Sequence, residues 1–267
     1  MGARRFYWTL AILLAAPTPA FGCTTLLVGK SATVDGSVMA THSNDGGGTT
    51  DPRLVRIPAR DWPAGSTRPI WPNPESYPRF VGGGSAVGNR GAPSYDPKPG
   101  QLPSVPLGFV DQVNHTYAYF EQTYGTLNEK QLGMGESTCS AVYAAMGLDE
   151  GGAALWSIDE LSRVAMERAS SARDAVQLMG DLAVSGGFHG QSGALEGGGE
   201  SLMVIDPDEG FVFHILADKS GTSAIWVAQR VPDDSMAVVR FCCIPPHLTQ
   251  VKVKASKANQ NLFDLTI

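Results

Sequence analysis

Cys23 is the residue around which chemistry can be built. It follows Ala20-Phe21-Gly22, whose small first and last residues suit a signal peptidase. Ahead of that lie Arg4 and Arg5, an apolar run from Phe6 to Ala16, and prolines at 17 and 19. The run is too short to span a bilayer and has the size of a signal h-region. Residues 1–22 are therefore expected to be a signal peptide, and cleavage after Gly22 makes Cys23 the first residue of the mature chain. A thiol and a primary amine then share one residue. A free thiol with pKa ~8.5 is mostly protonated at neutral pH. The α-amine, with pKa about 7.7–8.0, lies close enough to neutrality to take that proton. Before cleavage the same nitrogen is an amide and not a base, so maturation would switch the nucleophile on.

Such a nucleophile needs two supports. The amine must be oriented by an acceptor, and the tetrahedral intermediate needs donors aimed at its oxyanion. Asp45, delivered by His42-Ser43-Asn44-Asp45, is the candidate acceptor, and the side-chain amide of Asn128 is a candidate oxyanion donor. His42 is the candidate substrate-binding residue. Glu136 and Glu200 have the charge to face a substrate amine but read as exposed turn residues and stay outside the predicted site. Cys139 reads as a buried structural thiol and His214 as a core or interface histidine. His189, His214 and His247 have no metal-ligand spacing and no Cys-x-x-Cys occurs, which argues against zinc.

The motifs Cys23-Thr24-Thr25-Leu26-Leu27-Val28-Gly29-Lys30, Asp35-Gly36-Ser37 and Asp45 resemble the mature start of the N-terminal-nucleophile cysteine dipeptidases. Secernins are related to that family, and the choloylglycine hydrolase and penicillin V acylase group more distantly. The resemblance continues through Asn128-Glu129, Gly135-Glu136-Ser137-Thr138-Cys139, residues 157–181, Gly199-Glu200-Ser201 and residues 226–233. It implies an α+β fold, the four-layer α/β/β/α sandwich, and hydrolysis of short peptides with no metal or organic cofactor. Cys23 would be the nucleophile, Asp45 the residue positioning its amine, and Asn128 an oxyanion donor. Two alternatives share the fold: an amidase or acylase of non-peptide amides, and an inactive secernin-like binding protein. Many relatives carry Arg where this chain has His42, and an Asn near residue 241 where this chain reads Arg240-Phe241-Cys242-Cys243. Relatives also run longer, so the chain is expected to be a C-terminally truncated member. The domain, residues 23–250, would then be partial, with an atypical polar tail at 251–267.

Several elements must position these residues. Thr24 to Lys30 reads as a strand, Val34 to Ser37 as a turn with an Asp-Gly signal, and Val38 to Thr41 as the returning strand. This hairpin would bring Asp45 back beside Cys23. Twelve of the eighteen prolines fall between Pro52 and Pro106, marking either a wall of the site or a surface excursion. Residues 113–120 and 132–135 read as strands. Ser157-Ile158-Asp159-Glu160 reads as a capping box opening a helix at 161–169, and Ser171 with Asp174 opens a second helix that Gly186-Gly187 stops. Four strands, 201–205, 211–216, 223–231 and 236–242, then form a meander with turns rich in Asp, Pro and Gly. These strands are apolar on both faces, so the sheet must be covered twice, by helices and by a second sheet.

The totals exclude other classes. The chain has 267 residues with 43% apolar and 17% charged, enough for one substantial core. Its net charge is -6, and loss of Arg4 and Arg5 makes it -8. An acidic chain is a poor partner for nucleic acid or anionic membranes. Short peptides are the expected partners, with no stable membrane insertion after leader removal. The expected location is the secretory pathway: secreted, periplasmic, or in a lysosome-like vacuole. Four cysteines, Cys23, Cys139, Cys242 and Cys243, are too sparse for a disulfide scaffold.

Overall fold

Just after Cys23, Thr25 and Leu27 are buried while their neighbours stay partly open, the period of two of a half-covered strand. This strand, β1 (Thr24–Val28), pairs antiparallel with β2 (Met39–Ser43), with Thr24 opposite Ser43 and Thr25 opposite His42. The expected hairpin therefore forms. A short 3-10 turn at Lys30–Ala32 follows β1, and Gly36 takes φ +78°, the conformation the Asp-Gly turn requires. The computed structural model describes residues 23–44, 54–72, 105–190, 198–240 and 242–243.

The Pro-rich stretch contributes β3 (Val55–Ile57), β4 (Arg60–Asp61) and β5 (Thr67–Ile70), and β6 (Gly108–Asp111) follows it. It is more than a surface excursion, because Ile70 and Trp71 are buried and Arg68 reaches the core. The strand expected over 113–120 is split into β7 (His115–Thr116) and β8 (Tyr119–Glu121). β4 pairs with β7 and β5 with β6, as two small ribbons. Next come β9 (Gly125–Asn128) and β10 (Gly133–Ser140). β10 is twice the expected length and carries Glu136 through Cys139 in its interior.

Two helices follow, α1 (Ile158–Arg168) and α2 (Ala172–Gly186). Ser171 caps α2 as expected, its Oγ accepting from Asp174 N at 3.2 Å. The capping box at α1 does not form. Ser157 Oγ donates to the Asp159 carboxylate, and Glu160 instead accepts from Arg68 Nη1 at 2.7 Å and Trp71 N at 3.3 Å. A buried guanidinium is a stronger partner for that carboxylate than the backbone N–H at the cap.

The remaining strands are β11 (Gly199–Ile205), β12 (Gly210–Ala217), β13 (Ala224–Arg230), β14 (Met236–Arg240) and β15 (Cys242–Cys243). The large antiparallel sheet has the order β13-β12-β11-β10-β9-β8-β3, with β15 added parallel to β10. The expected four-strand meander keeps only its first three members. β14 crosses to the small sheet, whose order is β14-β1-β2. The 232–235 turn explains the crossing: Gly29 N and Ser31 N donate to Ser235 O and Asp233 O, fastening that turn to the end of β1.

The two faces of the large sheet are covered as the double apolar pattern demands. Leu202, Val204, Phe213 and Trp226 pack with Leu161, Val164, Val176 and Met179 of the helices. On the other face Met203 and Val212 pack with Leu27 and Val231. The described residues thus supply α/β/β, an α+β sandwich. A second helical layer is not among them, and the outward face of the small sheet exposes Met39, Met236 and Val238. Among the described residues no helix is long and apolar enough to cross a membrane.

Candidate active site

Cys23 leads directly into β1, the central strand of the small sheet. Ser137 Oγ on β10 donates to its carbonyl at 2.8 Å, and Thr24 N donates to Ser43 Oγ on β2 at 3.0 Å. Cys23 and Thr24 are therefore held from both sides. Gly135 makes this possible: a Cβ there would lie 2.6 Å from Thr41 O and 3.3 Å from the Cβ of His42. Only glycine lets β2 lie this close against β10.

This close approach brings His42 to the site. Glu136 N donates to His42 Nδ1 at 3.4 Å, and His42 Nε2 lies 3.6 Å from Glu136 Oε2. With Nδ1 accepting, the ring proton sits on Nε2 and faces the carboxyl group. The Cys23 sulfur, a His42 nitrogen and a Glu136 oxygen all lie within 4.8 Å of one another. Tyr124 completes the wall, its ring 5.5 Å from that of His42.

The Glu136 carboxyl is a hub. It accepts from Thr138 Oγ1 at 3.1 Å and hydrogen-bonds Glu200, Tyr124 and Cys23. Glu136 and Glu200 are both completely buried. Burial is the main cause that raises the Glu136 pKa, and its hydrogen bonds oppose the rise. Glu200 is pushed well above the ordinary carboxyl range, by burial first and by the Glu136 charge second. Two carboxyls in contact and out of water hold one proton between them. Burial and the same two glutamates also raise Tyr124 well above its usual value, so it stays a neutral donor.

The sequence reading of Glu136 and Glu200 as exposed turn residues is corrected here: both lie inside strands. The signal that could have found them is the repeated tripeptide Gly-Glu-Ser, at 135–137 and 199–201. Antiparallel pairing sets Ser137 opposite Ser201 and Thr138 opposite Glu200, which places both glutamates diagonally on one face. The opposite face carries a second polar row. Cys139 Sγ lies 3.0 Å from Ser201 Oγ, which lies 2.6 Å from His214 Nδ1. Cys139 is buried, as its structural reading requires. Burial lowers the His214 pKa to about 4, so the ring that shares a hydrogen bond with Ser201 is neutral.

Asn128, the expected oxyanion donor, has another task. Its amide nitrogen donates to Met166 O at 3.0 Å and Ala169 O at 2.9 Å. Its carbonyl accepts from Lys130 N and Leu132 N at 2.9 and 3.1 Å. Both amide protons cap the last turn of α1, and none remains for an oxyanion. Asp45 lies outside the described residues.

Cys, His and Glu are ligand types for a divalent cation. Spacing could not reveal this grouping, because its members come from the start of the chain, β2 and β10. The tautomer of His42 opposes coordination: Nε2, the nitrogen nearer the carboxylate, carries the proton. The arrangement is better suited to holding a thiol and a carboxyl together than to holding a metal.

Two facing antiparallel sheets, helices on the larger one, and a cysteine at the head of the central strand define an N-terminal-nucleophile hydrolase. The chain belongs to peptidase family C69, a family of cysteine peptidases, whose family model matches residues 101–241, just over half of its length. That span carries Glu136 and Glu200 but begins after Cys23 and His42, which join it through the pairing of β1 with β14 and the contact of His42 with β10. No curated protein matches the chain.

Proposed function

We propose that the chain is an exported dipeptidase whose nucleophile is Cys23. The observation that carries this reading is the placement of the Cys23 sulfur within 4.8 Å of both His42 and Glu136, at the head of β1, in a chain of this peptidase family. Removal of residues 1–22 frees the Cys23 amine. That amine takes the thiol proton, and the sulfur bonds to the substrate carbonyl carbon. The C–N bond then breaks, the proton leaves with the departing amine, and a thioester remains on Cys23. Water, deprotonated by the same amine, releases the acyl group and restores the thiol. Asp45 keeps the proposed role of orienting the amine, whereas Asn128 is not the oxyanion donor.

The test is direct. N-terminal sequencing of the secreted protein should return Cys23, and Cys23→Ala should lower dipeptide turnover by roughly a thousandfold or more. A mature chain beginning elsewhere, or equal turnover by the alanine variant, would overturn the proposal.

A further inference from the structure

Resting on that reading, we propose that Glu136 and Glu200 together receive the free α-ammonium group of the peptide substrate, so that the site selects unblocked peptides over N-acylated ones.

Geometry supports this before charge does. In a dipeptide the attacked carbonyl belongs to the residue that carries the free amine, and that nitrogen lies about 2.5 Å from the carbonyl carbon. Attack brings the carbon to about 3–3.5 Å from the sulfur, so the ammonium falls within roughly 6 Å of it. A Glu136 carboxylate oxygen occupies that same shell, within 4.8 Å of the Cys23 sulfur. Glu200 hydrogen-bonds Glu136 and also feels the Cys23 thiol.

The pair also lacks what buried carboxylates normally have. Among the described residues no Lys or Arg forms an ion pair with either glutamate, and neither Glu200 oxygen accepts from an N–H or hydroxyl group. The groups facing the pair are Cys23, His42, Tyr124, Thr138 and Cys139, with Asp159 acting on Tyr124 across the site. None is a permanent cation. A buried carboxyl pair without a counter-ion is destabilising unless a proton or a ligand cation neutralises it. A substrate ammonium would displace the shared proton and satisfy both carboxylates with charge-assisted bonds. The amine of Cys23 is poorly suited to that place, because two carboxylates would hold it protonated and remove the base.

The experiment uses the processed full chain and two thioesters of one thiol, alanyl and propionyl, which differ only in the ammonium. Intact mass follows acylation of Cys23. The wild type should be acylated at least about 100-fold faster by the alanyl ester, because a site built around a cation rejects the analogue that lacks it. Glu200→Gln should lower the alanyl-to-propionyl ratio at least about tenfold. A second measurement avoids any folding defect of that variant. Alanyl-alanine binding to the Cys23→Ala protein, followed by calorimetry in two buffers near neutral pH, should release about one proton. Propionyl-alanine should bind more weakly and release none. Equal acylation by both esters, or an unchanged ratio in Glu200→Gln, would overturn the assignment. So would a Glu200→Gln defect that is equal for both esters, which would mean that the pair serves the amine of Cys23. Binding of alanyl-alanine with no proton release would also remove it. Failure of both esters to acylate Cys23 would remove the nucleophile itself, and the inference with it.

Discussion

Two groups of carboxylates are buried in this molecule, and they are treated oppositely. On α1, Glu160 and Glu167 meet Arg68 at 2.7 and 2.6 Å, while Asp159 and Glu121 meet Arg163 at 2.8 and 3.1 Å. On β10 and β11, Glu136 and Glu200 meet each other. The first group carries its counter-ions with it, and its work is to clamp β5 and the β8 region onto the helix. The second group relies on a shared proton and stands beside the thiol. Burial alone therefore says little about a carboxylate. What distinguishes scaffold from site is whether the fold supplies the opposite charge.

The sharpest way to break this contrast is to remove a counter-ion. Arg68→Met would leave the buried Glu167 without its ion pair and Glu160 with only Arg163 at 3.3 Å, and should destabilise the fold by about 3–5 kcal/mol, read from urea unfolding. Next in size is Asn128→Ala. It strips two hydrogen bonds at the end of α1 and two in the turn between β9 and β10, and should lower stability by roughly 2–4 kcal/mol. The protein that remains folded should keep its turnover, whereas an oxyanion donor would lose about 100-fold or more in kcat.

His214 gives a smaller, pH-dependent effect. Its pKa falls from 6.5 unfolded to about 4 folded, so the unfolded state binds the extra proton between those values. Stability should decline as pH falls from about 6.5 toward 4, by on the order of 2 kcal/mol after discounting for partial solvent contact. His214→Gln should flatten that slope. The Glu136–Glu200 pair acts in the other direction. Its raised pKa means that the folded state keeps a proton that the unfolded chain has released above the ordinary glutamate range. Stability should then fall as pH rises through the pair's own titration. Glu200→Gln, with no proton to lose, should show a flatter alkaline limb in a melting-temperature profile. A steeper limb would contradict the shared proton.

Much of this molecule was legible in the sequence. The β1–β2 hairpin could be read from apolar alternation around Asp35-Gly36, and α2 from Ser171 and the terminal glycines, because both signals are local. The proposed nucleophile, Cys23, was singled out by its position behind a leader-like segment. The double apolar faces of β12 and β13 also announced a sheet covered on both sides, which the helices and the small sheet confirm. Local signals misled where a distant partner competed. The α1 capping box lost Glu160 to an arginine about ninety residues away, and β14 left the meander because its turn is fastened to the end of β1.

By itself, then, the order of residues told where the first hairpin and α2 would lie, which strands would be apolar on both faces, and which cysteine stands behind a leader-like segment. Such properties depend on neighbours within a few positions. The character of the site came only with tertiary structure. Glu136 and Glu200 are ordinary surface-type residues in the sequence. They become a proton-sharing pair because antiparallel pairing of β10 with β11 sets them diagonally on one buried face, with no ion pair to an arginine among the described residues. Electrostatic character inside a protein depends on burial and on the nearest charge in space, and a linear chain specifies neither until it has folded.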